Sequence, residues 1–389
     1  MGLPPLTYNF RSLFVRWSST LLTTVSIGAT VAVIAGVLSL QQGFAALYEE
    51  GGRPDVVVFL RPGANAEGES AFQRDRADIL IKEIPEIASD EKGFPMASAE
   101  LYLAVRRFKE DGGETNVPIR GVQPMSFKIA GDRLKIVEGR MFTPGNDEVI
   151  VGRSLVGRIR NCLLDDVIPL NTTPFKVVGI FTYDGPFQSE IWGDVDRMGE
   201  ALERPTFSRV VGKVKSGTDF KALALRMSSD KRVPVKAMSE VEYLSSQTAA
   251  MTYVLWFLGA FLGVIMGTAA VFTGTNTMLA ALSSRSHEIG ILVSIGFRPV
   301  AVFFSFLTEA LILGLMGGFV GCLLVLPFNG MNTGTTNFQT FTEVAFAFRV
   351  TPQVLVLSIG FAIMLGMIGG LIPAWRAATE NPVKSLRRL

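Results

Sequence analysis

SSRSHEIGILVSIGF, running from Ser283 to Phe297, is short, mixed in character and flanked on both sides by long apolar segments. Its charged and titratable residues Arg285, His287 and Glu288 come first. A hydrophobic run follows, Ile289, Ile291, Leu292, Val293 and Ile295, with Gly290 inside it and Gly296 after it. A connection between membrane spans needs only to be polar. This one is patterned as a short amphipathic helix lying at a membrane surface. Such a helix can seat its apolar residues in a groove of another protein.

Working outward, the segments Leu21–Leu40, Tyr253–Leu279, Val300–Phe328 and Val354–Ile372 are each long and apolar enough to cross a bilayer, which takes about 20 residues. A mean hydropathy of +0.35 with 19% charged residues agrees with a membrane protein. A signal peptide is the alternative for the first segment, because Arg11 and Arg16 precede it. The run is longer than the usual h-region of about 7–15 residues and ends in no A-x-A site, so a span is the better reading. Lys and Arg set the orientation. Arg11 and Arg16 precede the first span, Arg285 and Arg298 lie between the second and third, and Arg376, Lys384, Arg387 and Arg388 follow the fourth. The loop between the third and fourth spans carries only Arg349. Both termini and the Ser283 loop are therefore expected in the cytoplasm, in a multi-pass protein of the cytoplasmic (inner) membrane.

Leu6, Phe10, Leu13, Phe14 and Trp17 fall at helical spacing, which predicts an interfacial helix leading into the first span. Between the first and second spans lie about 200 polar residues, the size of a domain. Short β-rich runs recur there: PDVVVFLRPG, AELYLAVRRF, VPIRGVQP, LKIVEGR, EVIVGRS, FKVVGIF and SRVVGKVKSG. ESAFQRDRADILIKEI and TDFKALALRMSSD read as helices. The expected fold is therefore four transmembrane α-helices plus an α+β extracytoplasmic domain, inserted between the first and second spans and built of two subdomains. The expected limits are 1–48 for the interfacial helix and first span, 49–245 for the inserted domain, and 246–389 for the remaining spans and the cytoplasmic loop.

Small residues recur at every fourth position. Gly28, Ala32 and Gly36 do so in the first span, Gly259, Gly263 and Gly267 in the second, Gly314 and Gly318 with Gly317 and Gly321 in the third, and Gly366 and Gly370 in the fourth. That spacing lets helix backbones approach closely, against partners in the same chain or another. Glu309 lies inside the third span, where a carboxylate is costly unless protonated or partnered. It reads either as a transmission or proton site or as a carboxyl facing Thr, Ser or a backbone carbonyl, the second being preferred.

No phosphate loop, G-x-S-x-G elbow, H-E-x-x-H or C-x-x-C pair occurs, so no catalytic residue is assigned. With one histidine and two cysteines, Cys162 and Cys322, placed in different compartments, no metal site and no disulfide are expected. No basic cluster interleaved with aromatics suggests nucleic acid.

The Ser283–Phe297 stretch resembles the coupling segment of ABC-transporter permeases of the MacB/FtsX family, which reads ER-x-REIG followed by a small-residue turn. Arg285, Glu288, Ile289, Gly290 and Gly296 match; His287 stands where the family usually has Arg. SFLTEALILGLMGG around Glu309 and the ending PAWRAATENPVKSLRRL also resemble the family, as does the N-terminal span. DevC and the lipoprotein-releasing LolC/LolE permeases are similar too. The resemblance implies a homodimer, or a heterodimer with a related permease, served by separate ABC ATPase subunits that bind ATP and Mg. It implies no cofactor in this chain and a membrane-fusion protein as an optional partner. It assigns coupling to Arg285, His287, Glu288, Ile289, Gly290, Leu292 and Gly296, and it implies mechanical work on an outer-side substrate. A transmembrane sensor of envelope processes is the alternative, suggested by the order span, exported domain, span. Against it, two further spans follow. The orientation has a direct check: in intact cells a membrane-impermeant thiol reagent should label Asp111→Cys or Asp196→Cys and leave Ser284→Cys unlabelled, and labelling at Ser284 would reverse the topology.

Overall fold

The computed structural model describes residues 13, 15–49, 51–336 and 342–380. The chain divides into two units, one of residues 1–42, 253–331 and 347–389, and one of 43–252 with 332–346. The expected limits for the inserted domain are 49–245; helices α1 (Trp17–Glu49) and α6 (Glu240–Ser284) each run unbroken from one unit into the other. Leu6, Phe10 and Phe14 of the expected interfacial helix lie outside the described residues. Of its remaining members, Leu13 is buried and Trp17 is exposed.

In the first unit, α1 and α6 are joined by α8 (Pro299–Val325) and α9 (Pro352–Thr379). All four are long and apolar enough to cross a membrane. Lipid offers no apolar driving force between such helices, so close backbone contact and hydrogen bonds must hold them. Helix α8 has two glycine faces. A β-carbon on Gly317 would lie 2.6 Å from the Ile27 side chain of α1, and one on Gly321 would lie 2.7 Å from that of Val31. On the other face a β-carbon on Gly314 would lie 2.7 Å from the Ala362 carbonyl of α9, and one on Gly366 would lie 2.6 Å from the Ala310 carbonyl of α8. A β-carbon on Gly28 would lie 2.9 Å from Val320, whereas one on Gly36 would have only Val325 at 3.8 Å. One on Gly318 would lie 3.0 Å from Ala362. The glycines of α6 are looser: a β-carbon would lie 3.3 Å from Val37 at Gly259, 3.3 Å from Ile34 at Gly263 and 3.1 Å from Leu365 at Gly267. Threonines tie α6 in: the Thr23 and Thr277 hydroxyls share a 2.8 Å hydrogen bond, and Thr275 donates to the Gly369 carbonyl at 2.8 Å.

In the second unit, the strands follow a single path in the order β10-β1-β9-β2-β3-β8-β5-β7-β4, with β6 paired to β7. They are β1 (Val56–Leu60), β2 (Ala97–Phe108), β3 (Glu114–Val122), β4 (Leu134–Gly139), β5 (Glu148–Gly152), β6 (Val167–Leu170), β7 (Thr173–Tyr183), β8 (Ile191–Asp194), β9 (Arg209–Lys213) and β10 (Lys236–Ser239). The expected two subdomains resolve into two half-sheets sharing one long strand. Residues 97–100 of β2 pair with β9, and residues 101–108 pair with β3. Helices α2 (Arg74–Lys82), α3 (Pro124–Ala130), α4 (Val195–Ala201) and α5 (Phe220–Ser229) complete the inserted domain. The apolar core draws on Val57, Phe59, Leu101, Ile119, Val149 and Val177. The loop between the third and fourth spans adds a two-stranded sheet of β11 (Asn332–Thr336) and β12 (Glu343–Ala347). Its Ala345 N–H donates to Ser189 at 3.3 Å, and its Phe346 packs edge-on against Phe44.

The glycine contacts discriminate. Gly317→Val or Gly366→Val should cost at least about 1–3 kcal/mol through overpacking, read as a lower melting temperature in detergent. Gly360→Ala in α9, where an added β-carbon would meet no other described part of the protein within 4 Å, should stay within about 0.5 kcal/mol of wild type.

Candidate functional site

The quoted stretch forms helix α7 (Ser286–Ser294), with Arg285 at its N-cap. Its two faces differ. Arg285, Ile289 and Gly290 are buried, and Ile289 packs in a cluster with Leu13, Met278, Leu282, Val302 and Phe306. His287, Glu288, Ile291 and Ile295 are exposed. Sequence reading assigned Ile289 and Arg285 to a partner-facing set. The structure turns both inward, because positions four apart share one helix face and that face is held by the bundle. The outward apolar pair is Ile291 and Ile295, also four apart. The side chain of Leu292 lies outside the described residues. The helix ends at Ser294, and two residues on Gly296 turns the chain with a φ of +105°, open to glycine and strained for other residues.

Arg285 reaches Glu309. Its Nη1 lies 3.4 Å from Glu309 Oε2, and its Nε lies 3.3 Å from Glu288 Oε2. The other oxygen of Glu309 takes Arg16 Nη2 at 2.5 Å. The Glu309 side chain is only 5% exposed, whereas that of Glu288 is 58% exposed. The expected Thr, Ser or carbonyl partner of Glu309 is thus replaced by two guanidiniums. The sequence signal was present: arginines at the roots of neighbouring spans have stems long enough to reach inward. Among described residues no group of three or more His, Cys, Asp and Glu is placed to hold a metal ion.

A second charge constellation, inside the inserted domain, escaped the sequence reading. Arg120 on β3 contacts Glu190 through Nε at 2.7 Å and Nη2 at 2.9 Å, and Glu67 through Nη1 at 2.6 Å. Arg209 on β9 contacts Glu67 at 2.8 Å and Glu100 at 2.7 Å. Trp192 donates to Glu190 and Ser126 to Glu100. The Phe187 ring lies 5.1 Å from the Arg120 guanidinium and 5.4 Å from that of Arg209. Phe187 belongs to TYDGPFQSE, the segment expected to be a flexible connector. It is instead packed, with Pro186, Phe187 and Ser189 buried. The clue was an arginine or glutamate inside apolar strand runs, VPIRGV and AELYL. Burial opposes the charge of Glu100, but Arg209, Arg120 and the Ser126 hydroxyl outweigh it and hold its pKa below the ordinary value. On the surface, the hydrogen bond from Arg140 is the largest cause holding Glu148 down at about 2.

A four-span bundle with a short helix between the second and third spans and a large domain inserted after the first span is the build of a permease with an exported domain. Two family models fit it. One described as a MacB-like periplasmic core domain matches residues 20–229, and one described as an FtsX-like permease C-terminal matches residues 259–382. The chain belongs to the MacB/FtsX-like family of ABC-transporter permeases. The uncharacterized ABC transporter permease YknZ of Bacillus subtilis is 26% identical over 84% of this chain and 82% of its own length. The macrolide export ATP-binding/permease protein MacB of Chromobacterium violaceum is 25% identical over 81% of this chain. The matched part spans half the length of that MacB. The periplasmic region of MacB from Actinobacillus actinomycetemcomitans, a solved structure, is 14% identical with a TM-score of 0.37, over 49% of this chain and 91% of that one.

Both lowered carboxylates bind protons more weakly folded than unfolded. Their stabilisation is therefore present above the ordinary value of 4.5 and is lost as pH falls below it. The melting temperature of the protein should fall as pH drops from 4.5 towards about 2, and Glu148→Gln should flatten part of that slope. Arg120→Ala, which leaves buried carboxylates short of a partner, should cost about 3–5 kcal/mol.

Proposed function

We propose that this chain is the membrane subunit of an ABC transporter that receives the work of ATP hydrolysis from a separate ATPase through α7. We propose further that it spends that work mechanically on an outer-side substrate: a lipoprotein, peptide, drug or lipid-like molecule. The observation that carries the reading is the division of α7. Its inward face, Arg285 and Ile289, is locked into the bundle. Its outward face sets one carboxylate, Glu288, beside the exposed apolar pair Ile291 and Ile295. A polar contact that orients and an apolar pair that fills a groove is the composition of a helix-in-groove site. Family membership supports an ATPase as the partner.

A mechanical role is supported by the spans themselves. They pack so closely at glycines that an added β-carbon would strike the Ile27 or Val31 side chain at Gly317 and Gly321 and a backbone carbonyl at Gly314 and Gly366, and Glu309 is committed to two arginines. A hydrophilic path would need polar groups facing a cavity. Two copies of the chain, identical or related, both termini in the cytoplasm and location in the cytoplasmic membrane complete the proposal. A membrane-fusion protein is a further candidate partner.

Glu288→Lys and the pair Ile291→Asp, Ile295→Asp should each weaken copurification of the ATPase on the order of tenfold or more, as loss of an interface anchor does. Expression and melting temperature should be unchanged, because these side chains are exposed. Undiminished copurification in both variants would remove α7 as the docking site.

A further inference from the structure

We propose that Glu309 is a positioning residue through which α7 sets the place of the root of α1, so that both helices leading into the inserted domain respond to one docking event. The proposal rests on the docking of an ATPase at α7. It starts from connectivity. The inserted domain is joined to the bundle by α1 on one side and α6 on the other. Helix α6 ends at Ser284, one residue before Arg285, so its root follows α7 through the chain itself. Helix α8 begins at Pro299, five residues after α7 ends, and is tied in the same way. The root of α1 has no such covalent tie.

Glu309 supplies the tie. One oxygen holds Arg16, the residue immediately before α1, and the other holds Arg285, the N-cap of α7. The carboxylate is 5% exposed, and the two arginine side chains are 20% and 10% exposed. Separating such a pair leaves a buried charge without compensation, so the three residues resist parting and move as a set. Leu13 and Ile289 share one apolar cluster beside this link. Apolar packing is non-directional and lets surfaces slide, whereas a carboxylate held at each oxygen fixes a relative position. The line of charges does not stop at Arg285: its Nε meets Glu288, whose side chain is 58% exposed on the docking face. A cation of the ATPase that engages Glu288 therefore pulls on a continuous series, Glu288 to Arg285 to Glu309 to Arg16.

The test uses the full chain with its copurifying ATPase in lipid nanodiscs, on a Cys162→Ala, Cys322→Ala background. Spin labels are placed at Ser18→Cys, in the first turn of α1, or at Ser294→Cys, in the last turn of α7; both positions are exposed. In the wild-type link, ATP should change the spectrum at both positions. In Glu309→Gln, the change at Ser294 should persist, ATP hydrolysis should remain within about twofold, and the change at Ser18 should drop to the nucleotide-free level. Arg16→Lys, which keeps the charge, should retain part of the Ser18 response. An unchanged Ser18 response in Glu309→Gln overturns the link while leaving docking intact. No ATP response at Ser294 in the wild-type link overturns the docking reading and this proposal with it. If Glu309→Gln fails to assemble, Arg16→Gln breaks the same link at its more exposed end, and the same outcomes decide.

Discussion

A carboxyl group buried within a membrane bundle needs partners, and in this protein Glu309 has two. The consequence reaches beyond that residue. With its side chain only 5% exposed, the carboxyl group depends on Arg16 and Arg285 staying within reach. That requirement fixes the roots of α1 and α7 against α8. It also fixes which face of α7 is turned outward. The face bearing Arg285 and Ile289 is spent on the bundle, and what remains outward is Glu288 with Ile291 and Ile295.

The inserted domain repeats the strategy in a different solvent. Glu67, Glu100, Glu190, Arg120 and Arg209 are all buried. An apolar replacement of the right shape would give comparable stability, since the desolvation cost of such a network offsets much of its attraction. Its geometric effect is different in kind. Arg120 lies on β3, in one half-sheet, and Arg209 on β9, in the other; Glu67 contacts both. The shared strand β2 carries Glu100 at residue 100, the last of its residues paired to β9 before the pairing passes to β3. The network therefore fastens the two half-sheets where a single strand alone would otherwise join them.

Legibility in the sequence followed the physics of each element. The spans were plain because a bilayer demands about 20 apolar residues in a row, and α1, α6, α8 and α9 fall on the four segments read. The seven β-rich runs correspond to β1 to β5, β7 and β9, since alternation and Gly or Pro ends are local signals. The short strands β6, β8 and β10, at four residues each, carry too few positions for a period to register. TYDGPFQSE looked mobile because its Gly and Pro speak about local backbone, while its burial depends on Phe187 meeting two arginines distant in the chain. The same limit applies to Glu309. Its position and the cost of its charge were visible at once; its partners, one of them 293 residues away, were not. In α7 the amphipathic pattern was legible but its phase was not. Period alone cannot say which of two apolar pairs four apart, Ile289 with Val293 or Ile291 with Ile295, faces the bundle.

That phase is settled by Arg285. A guanidinium at the start of α7 that turns inward to a buried carboxylate sets the rotation of the whole helix. Positions 285, 289 and 293 then follow it inward, with Arg285 and Ile289 buried and Val293 half-buried. Were Arg285 to point outward, Glu309 would lose a partner, and Ile289 would be turned away from Met278, Leu282 and Phe306. Ion pairing and apolar packing thus demand the same rotation. Agreement between the two is what lets a nine-residue helix, too short to be stable on its own, present a defined surface. The glycines then matter for a second reason. Because α8 packs on α1 through Gly317 and Gly321 and on α9 through Gly314 and Gly318, the helix that carries Glu309 has close-packed neighbours on two sides. Glu309 is thus carried on a well-seated helix, and Arg16 and Arg285 meet it from the roots of α1 and α7.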